Sequence, residues 1–343
     1  MKFDLLFIAP ISLLLIFSVV ILNSVAPNLF PSYYWYFVFG IVFSILFSLF
    51  DFEVISAFSK YLYVISIILL LVTLIIGQVT RETVRWIPIG SFSIQPSEIV
   101  RPFLFIFFAN YFIGNKLNFK HLLKGLILMA LPLLLILVQP SLGVTVITAI
   151  GFLGIILASE INKKQLFMLG LIAIILIPVS FVFLAPYQKS RILNFLNPEN
   201  DPLGAGYNAI QSKISVGSGK IFGMGLGKGV GTQLEFLPEK QTDFIFASIS
   251  EELGFSGAIL VLGLSFLILF RLIKYMENAI SPYARAFLSA VFLTLFVQIL
   301  IHTGMNMGIF PVTGVPYPLV SAGGSSLLAT LITLGVVNGT RKI

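Results

Sequence analysis

Ten stretches of this chain are apolar over about the length a bilayer demands, and together they leave little room for any water-soluble body. A hydrocarbon core takes roughly 20 mostly apolar residues per helix. The stretches fall at about 5–22, 32–50, 61–76, 96–113, 125–139, 142–158, 166–185, 243–270, 286–303 and 324–340. Only 10% of the 343 residues are charged, where a soluble domain carries roughly 25%. A larger core cannot hide the shortfall, because a soluble surface still needs polar cover. The chain is read as an all-α, polytopic integral membrane protein, a single domain over 1–343 with about ten transmembrane helices. Leu5 to Leu22 is read as a retained helix rather than a cleaved signal, since Pro27 directly follows Ser24-Val25-Ala26. There is no cysteine, so disulfide and thiol chemistry are excluded.

Lysines and arginines in short loops set orientation. With the N-terminus inside, twelve of the 21 fall on the cytoplasmic side: Lys2, Lys60, Lys116, Lys120, Lys124, Lys163, Lys164, Arg271, Lys274, Arg285, Arg341 and Lys342. Six of the other nine sit in one long polar segment, and long segments translocate largely regardless of charge. Both termini are therefore expected in the cytoplasm. The long segment, 185–243 between helices 7 and 8, is expected to be a large extracellular loop without obvious helical period.

The outer polar residues carry the chemistry. Arg85 and Trp86 stand in the loop after the third span, and Gln95-Pro96-Ser97-Glu98 opens the fourth. Pro96 and Glu98 suit a first helical turn, where a carboxylate complements the helix dipole. Arg101, three residues on, shares a face with Glu98. Charges at that depth need a partner or water, which favours a functional cavity. Asp243 stands where polar loop turns into apolar helix. It is either a helix cap or a carboxylate at the outer rim of a cavity. Glu251 and Glu252 lie about 12 Å deeper at 1.5 Å per residue, and Arg101 is a candidate partner for one of them. Lys240, beside Asp243, is one of several loop cations.

The glycine run from Gly217 to Gly231 fits no nucleotide loop. No glycine stands five places before either Gly-Lys pair, and neither Lys220 nor Lys228 precedes Ser or Thr. A close-packing loop with lysines near lipid headgroups is the better reading. His121 and His302 have no second ligand to make a metal set. No nucleic-acid partner is expected.

The ordered motifs Arg85-Trp86-Ile87, Gln95-Pro96-Ser97-Glu98, Gln139-Pro140, Gly231-Thr232-Gln233, Leu237-Pro238-Glu239, Thr242-Asp243-Phe244, Glu251-Glu252-Leu253-Gly254 and Pro318-Leu319-Val320-Ser321 run through nearly the whole chain. On them it resembles the SEDS family (shape, elongation, division and sporulation), which includes RodA and FtsW. Gly231-Thr232-Gln233 and the short tails are closer to RodA. The resemblance implies ten spans with both termini inside, and a peptidoglycan glycosyltransferase in the cytoplasmic membrane that polymerises lipid II for cell elongation and shape. It implies a class B penicillin-binding protein as partner, with Asp243 as the essential acid and Trp86 and Glu98 in support. Four positions depart from the family pattern: Ser141 replaces the usual Asp, Arg101 a Lys, Gln241 a His and Ala322 a Tyr.

An inverting transfer to a sugar hydroxyl needs a base, for which Asp243 is the economical choice. The leaving diphosphate needs positive charge from Arg85, Arg101, loop lysines or a divalent cation, Mg or Mn, held at Asp243. Two other readings are a lipid II flippase using Glu98, Arg101, Glu251 and Glu252 as a polar path, and an inactive scaffold for the transpeptidase. The topology is tested directly: a reporter fused after Ile343 should read cytoplasmic, and one placed within 186–242 extracytoplasmic.

Overall fold

The computed structural model describes residues 4–341 except 31, 81–82, 91, 115–117, 172–173, 175–185 and 197–204. Its helices follow the hydropathy closely at the start: α1 (Leu5–Val25), α2 (Ser32–Leu49), a short α3 (Phe52–Ala57) and α4 (Ser59–Ile76). The fourth apolar stretch is split into α5 (Pro96–Ile99) and α6 (Arg101–Phe112). Then come α7 (Phe119–Val138), α8 (Leu142–Ala158) and α9, described over 163–171. Most of the expected seventh span, 166–185, lies outside the described residues. The chain closes with α13 (Ile245–Asn278), α14 (Pro282–Asn306) and α15 (Gly324–Gly339). Five of these helices are long and apolar enough to cross a bilayer, and three shorter ones are apolar throughout. The chain is a multi-pass membrane protein.

Two expectations change. Helix α7 begins six residues before the expected 125, with Asn118 accepting from the His121 N–H as its cap. The lysines of its first turns, Lys120 and Lys124, masked that start, since long basic side chains extend from an apolar helix end to the headgroups. The loop after α4 is a small antiparallel sheet, with strands β1 (Gln78–Thr80), β2 (Thr83–Ile89) and β3 (Phe92–Ile94) in that order. Trp86 pairs with Gln78, and Ile87 with Ile94.

The segment expected to be an irregular loop holds α10 (Pro186–Leu196), α11 (Ala205–Ser218) and α12 (Val230–Gln233). Helix α11 escaped notice because the residues it buries include Ser212 and Ser215, at 0% and 2% exposure, rather than apolar ones. Its inward face is polar by hydropathy, so no amphipathic period registers.

With lipid outside, helices gain little from burying apolar surface against each other and must gain it from close packing. Helix α15 lies on α2 and α14 on α8. At Gly335 a Cβ would stand 2.4 Å from the Ser44 carbonyl oxygen, so only glycine permits that approach. At the start of α1, Asp4 caps the helix and also accepts from Arg271 and from the Tyr275 hydroxyl. Burial alone would raise its carboxyl, but the hydrogen bonds from Arg271 and Tyr275 outweigh that and hold it below the usual carboxylate range.

Helix α13 is broken at Gly254, where φ is +68° and ψ is −161°. A break inside an apolar helix leaves peptide groups unbonded, and lipid cannot satisfy them. The 219–225 segment does. Met224 and Gly225 N–H donate to the carbonyls of Glu251 and Glu252, at 3.0 and 2.9 Å. Phe255 and Ser256 N–H donate in turn to those of Lys220 and Ile221, at 2.9 and 3.1 Å. The glycine run thus presses its backbone into the break: a Cβ on Gly219 would stand 1.7 Å from the Ser250 carbonyl oxygen.

Gly254→Ala should lower thermal stability in detergent, since that backbone region alone costs about 1–3 kcal/mol for a side chain. Its Cβ would also stand 2.3 Å from Gly223 N. Gly263→Ala, on the same helix with nothing within 4 Å of its Cβ, should leave the midpoint unchanged or slightly raised.

Candidate active site

The structure divides the charged residues singled out from sequence into three places. The first is inside the helix bundle. Glu98 and Arg101 are 3% and 6% exposed and form an ion pair with each other. They face a cavity of about 20 Å³, room for about one water, that Thr294, Thr330 and Thr333 also line. Arg101 Nε and Thr294 Oγ1 have no hydrogen-bond partner in the protein, so the cavity is where water can reach them.

The second place is the break in α13. Glu251 does not meet Arg101, which Glu98 already occupies. Its carboxylate accepts from Gly231 N–H (2.7 Å), Thr232 N–H (3.0 Å) and the Thr232 hydroxyl (2.7 Å). It therefore caps α12 from outside, with its charge against the positive end of the short helix. Glu252 accepts from the Ser24 hydroxyl at 2.6 Å and from Gln233 Nε2 at 3.0 Å. Lys240 belongs to the same lock: its ammonium donates to the Thr232 carbonyl at 2.6 Å. Glu251 and Glu252 fasten the 231–233 segment to α13 and, through Ser24, to α1, and Lys240 braces that segment internally.

The third place is the start of α13, where Asp243 is half-buried. The helix begins after Phe244, whose side chain provides no cap. The open N–H of Ala247 donates instead to Asn306 Oδ1 at 3.0 Å. Asn306 Nδ2 donates to the Asp243 carbonyl at 3.0 Å, so one side chain of α14 caps the helix and fixes the Asp243 backbone. The capping that a lone sequence assigns to Asp243 is performed by Asn306. Asp243 Oδ2 faces the 307–323 loop, 3.6 Å from where a Cβ on Gly314 would stand.

That loop is held by a polar face of α14. His302 Nδ1 meets the Val315 carbonyl at 2.8 Å, so this nitrogen carries the proton, and Gln298 Nε2 donates to Pro316 O at 2.9 Å. Ser321 Oγ donates to the Thr242 carbonyl at 2.8 Å. Sequence reasoning dismissed His302 and passed over Gln298 and Asn306. Their four-residue spacing on one helix was the available signal.

Arg85 and Trp86 sit half-buried on β2. Their sheet joins the rest through Gln95, whose N–H donates to Ser325 Oγ at 2.8 Å and whose Nε2 donates to Ser141 Oγ at 3.2 Å. Two further departures from the family pattern touch each other, the Ala322 N–H donating to the Gln241 carbonyl at 2.8 Å. Among the described residues no group of three His, Cys, Asp or Glu converges as a metal site. Asp243 would offer a single carboxylate to a Mg or Mn ion, which commonly binds through one or two carboxylates together with the substrate's phosphates; no chemical step is routed through one.

With this geometry in place, comparison with known proteins is decisive. Residues 1–342 match the family model described as "Cell cycle protein", FTSW_RODA_SPOVE. The chain belongs to this family. It is 38% identical over 289 residues to the peptidoglycan glycosyltransferase MrdB of Escherichia coli (strain K12), covering 83% of this chain and 78% of that one. It is 39% identical over 283 residues to the probable peptidoglycan glycosyltransferase FtsW of Buchnera aphidicola, covering 80% and 74%. Near-equal identities leave the RodA or FtsW subgroup undivided. Among solved structures, a chain of a peptidoglycan synthase complex that coordinates polymerization and crosslinking superposes with a TM-score of 0.84 at 27% identity, over 98% of this chain and 97% of that one. The RodA of Thermus thermophilus shares the fold, with a TM-score of 0.74 at 24% identity over 99% and 96%.

The Glu98–Arg101 pair gives a stability prediction. Arg101→Ala leaves a buried carboxylate uncompensated, which typically costs about 3–5 kcal/mol. Its melting temperature in detergent should fall well below that of Arg101→Lys, which keeps the charge.

Proposed function

We propose that this chain is a peptidoglycan glycosyltransferase that polymerises lipid II, the undecaprenyl-diphosphate-linked disaccharide pentapeptide, on the outer face of the cytoplasmic membrane. The reading takes 1–343 as one membrane domain with both termini inside and the segment between the seventh and eighth spans outside. The relatives named above carry the activity in their names. The observation that gives it a chemical centre is that Asn306 caps α13 and anchors the Asp243 backbone, with Asp243 Oδ2 turned toward the 307–323 loop at Gly314.

In the proposed reaction the 4-hydroxyl oxygen of the acceptor sugar attacks C1 of the donor. Asp243 takes the hydroxyl proton, the new C1–O bond forms on one face, and the C1–diphosphate bond breaks on the other with its electron pair leaving on the diphosphate. Because donor and acceptor are both lipid-linked, a site at the membrane surface meets them without any cytosolic nucleotide sugar. Trp86, Arg85 and the Glu98–Arg101 pair are assigned supporting roles, the last as an internal brace. A class B penicillin-binding protein is the proposed partner, in keeping with the polymerization and crosslinking attributed to the structurally similar complex. The flippase reading loses its polar path, since Glu98 and Arg101 are paired with each other while Glu251 and Glu252 are bonded to the outer segment.

Asp243→Asn separates structure from chemistry. The substitution keeps the shape and leaves the Asn306 contacts to the backbone. Glycan-strand formation from labelled lipid II, by purified protein with its cognate transpeptidase, should fall by about 10²–10⁴-fold with an unchanged melting temperature. Polymerisation close to wild type would move the base elsewhere, with Glu98 first to test.

A further inference from the structure

The leaving-group side of the site emerges from two glycines. In the loop between α14 and α15, Gly308 and Gly314 have φ of +72° and +69°, and each lies under a basic side chain from the outer segment. A Cβ on Gly308 would stand 1.7 Å from Cε of Lys213 in α11. A Cβ on Gly314 would stand 3.6 Å from Nη1 of Arg191 in α10 and equally 3.6 Å from Oδ2 of Asp243. The guanidinium and the carboxylate are thus no farther apart than twice that distance. Arg191 Nη1 also donates to the Val312 carbonyl at 3.3 Å, which tethers the side chain to the same loop, while the residue itself remains exposed.

Two of the cations considered from sequence are engaged elsewhere. Arg101 is buried against Glu98, and Lys240 is bonded to the Thr232 carbonyl. A carboxylate at the rim repels a diphosphate, so a base in this position needs a cation beside it before a lipid-diphosphate sugar will settle there. As the C1–O bond breaks, the diphosphate gains charge, and a guanidinium offers donors in a planar fork that matches phosphate oxygens.

We propose that Arg191, tethered over Gly314 beside Asp243, binds the diphosphate of the lipid-linked sugar and takes up the charge that develops as it leaves. This rests on the glycosyl-transfer reading above. Lys213, over Gly308 on the same loop, adds a second positive charge to that rim.

Two measurements separate this assignment from that reading. Undecaprenyl diphosphate and undecaprenyl monophosphate are titrated against the full-length protein in nanodiscs, using wild type, Arg191→Ala, Arg191→Lys and Asp243→Asn. Polymerisation of lipid II is measured on the same preparations. Arg191→Ala should weaken undecaprenyl diphosphate by about 10–100-fold, the size of hydrogen bonds to a charged group, and the monophosphate by less. Arg191→Lys should recover part of the loss. Asp243→Asn should bind the diphosphate at least as well as wild type while failing to polymerise. If folded Arg191→Ala, with a wild-type melting temperature, holds undecaprenyl diphosphate as tightly as wild type, the assignment is overturned even though polymerisation stands. If wild type polymerises nothing, the transfer reading fails, and the binding series still decides whether Arg191 holds a diphosphate.

Discussion

The arrangement of the chain around α13 depends on one unsatisfied stretch of backbone. Breaking α13 at Gly254 strips peptide groups of their helical partners close to the apolar part of the helix, where water is scarce and each orphan costs several kcal/mol. The 219–225 backbone answers with four hydrogen bonds, in both directions. Because those bonds run backbone to backbone, they fix the outer segment against α13 whatever its side chains are. Glu251 and Glu252 then extend the lock to α12 and α1. Residues such as Lys240 and Asp243 are carried between two fastened ends, which turns a long hydrophilic connection into a defined wall of a site.

The same logic explains how the start of α13 beside Asp243 is capped. A residue at the start of a helix is ordinarily drawn into capping, and a carboxylate so engaged is a poorer base. Here α14 supplies the cap from across the bundle. Asn306 bonds Ala247 N–H, the Asp243 carbonyl and the His302 carbonyl together. Its neighbours one and two turns back, His302 and Gln298, grip the loop that brings Gly314 to the carboxylate. Asp243, the glycine under Arg191 and the start of α13 are therefore held by one face of one helix.

Much of this was legible in the sequence, and the failures have physical causes. Apolar length located most helices, because the bilayer imposes that length regardless of partner. The same measure could not see α11, whose buried positions are serines, or the start of α7, whose first turns carry lysines. Motif and position singled out Asp243, but could not show what caps the helix beside it, since that is Asn306, 63 residues away in the chain. Glu251 and Glu252 were legible as costly charges and not as latches, because their partners are backbone N–H groups and side chains of a segment with no hydropathic signature. Arg191 was one cation among several until the fold laid it over Gly314.

The departures from the family pattern also take on meaning once they are placed. Arg101 stands where a lysine is usual, in a pair with Glu98 whose far side opens on a small cavity lined by Thr294 and Thr330. A guanidinium has more donors than an ammonium and sits there with Nε unmet by protein, so the cavity and the arginine suit each other. Ser141, in place of the usual aspartate, takes a hydrogen bond from Gln95. A neutral amide donor matches a hydroxyl without leaving a second charge beside Glu98's helix. Gln241 and Ala322, where His and Tyr are usual, meet through their backbones rather than their side chains. That junction between the end of the outer segment and the loop before α15 therefore survives the loss of both rings. None of the four departing residues takes part in the Asn306 anchor of Asp243, which is the arrangement a chain would keep if the carboxylate were what the surrounding structure serves.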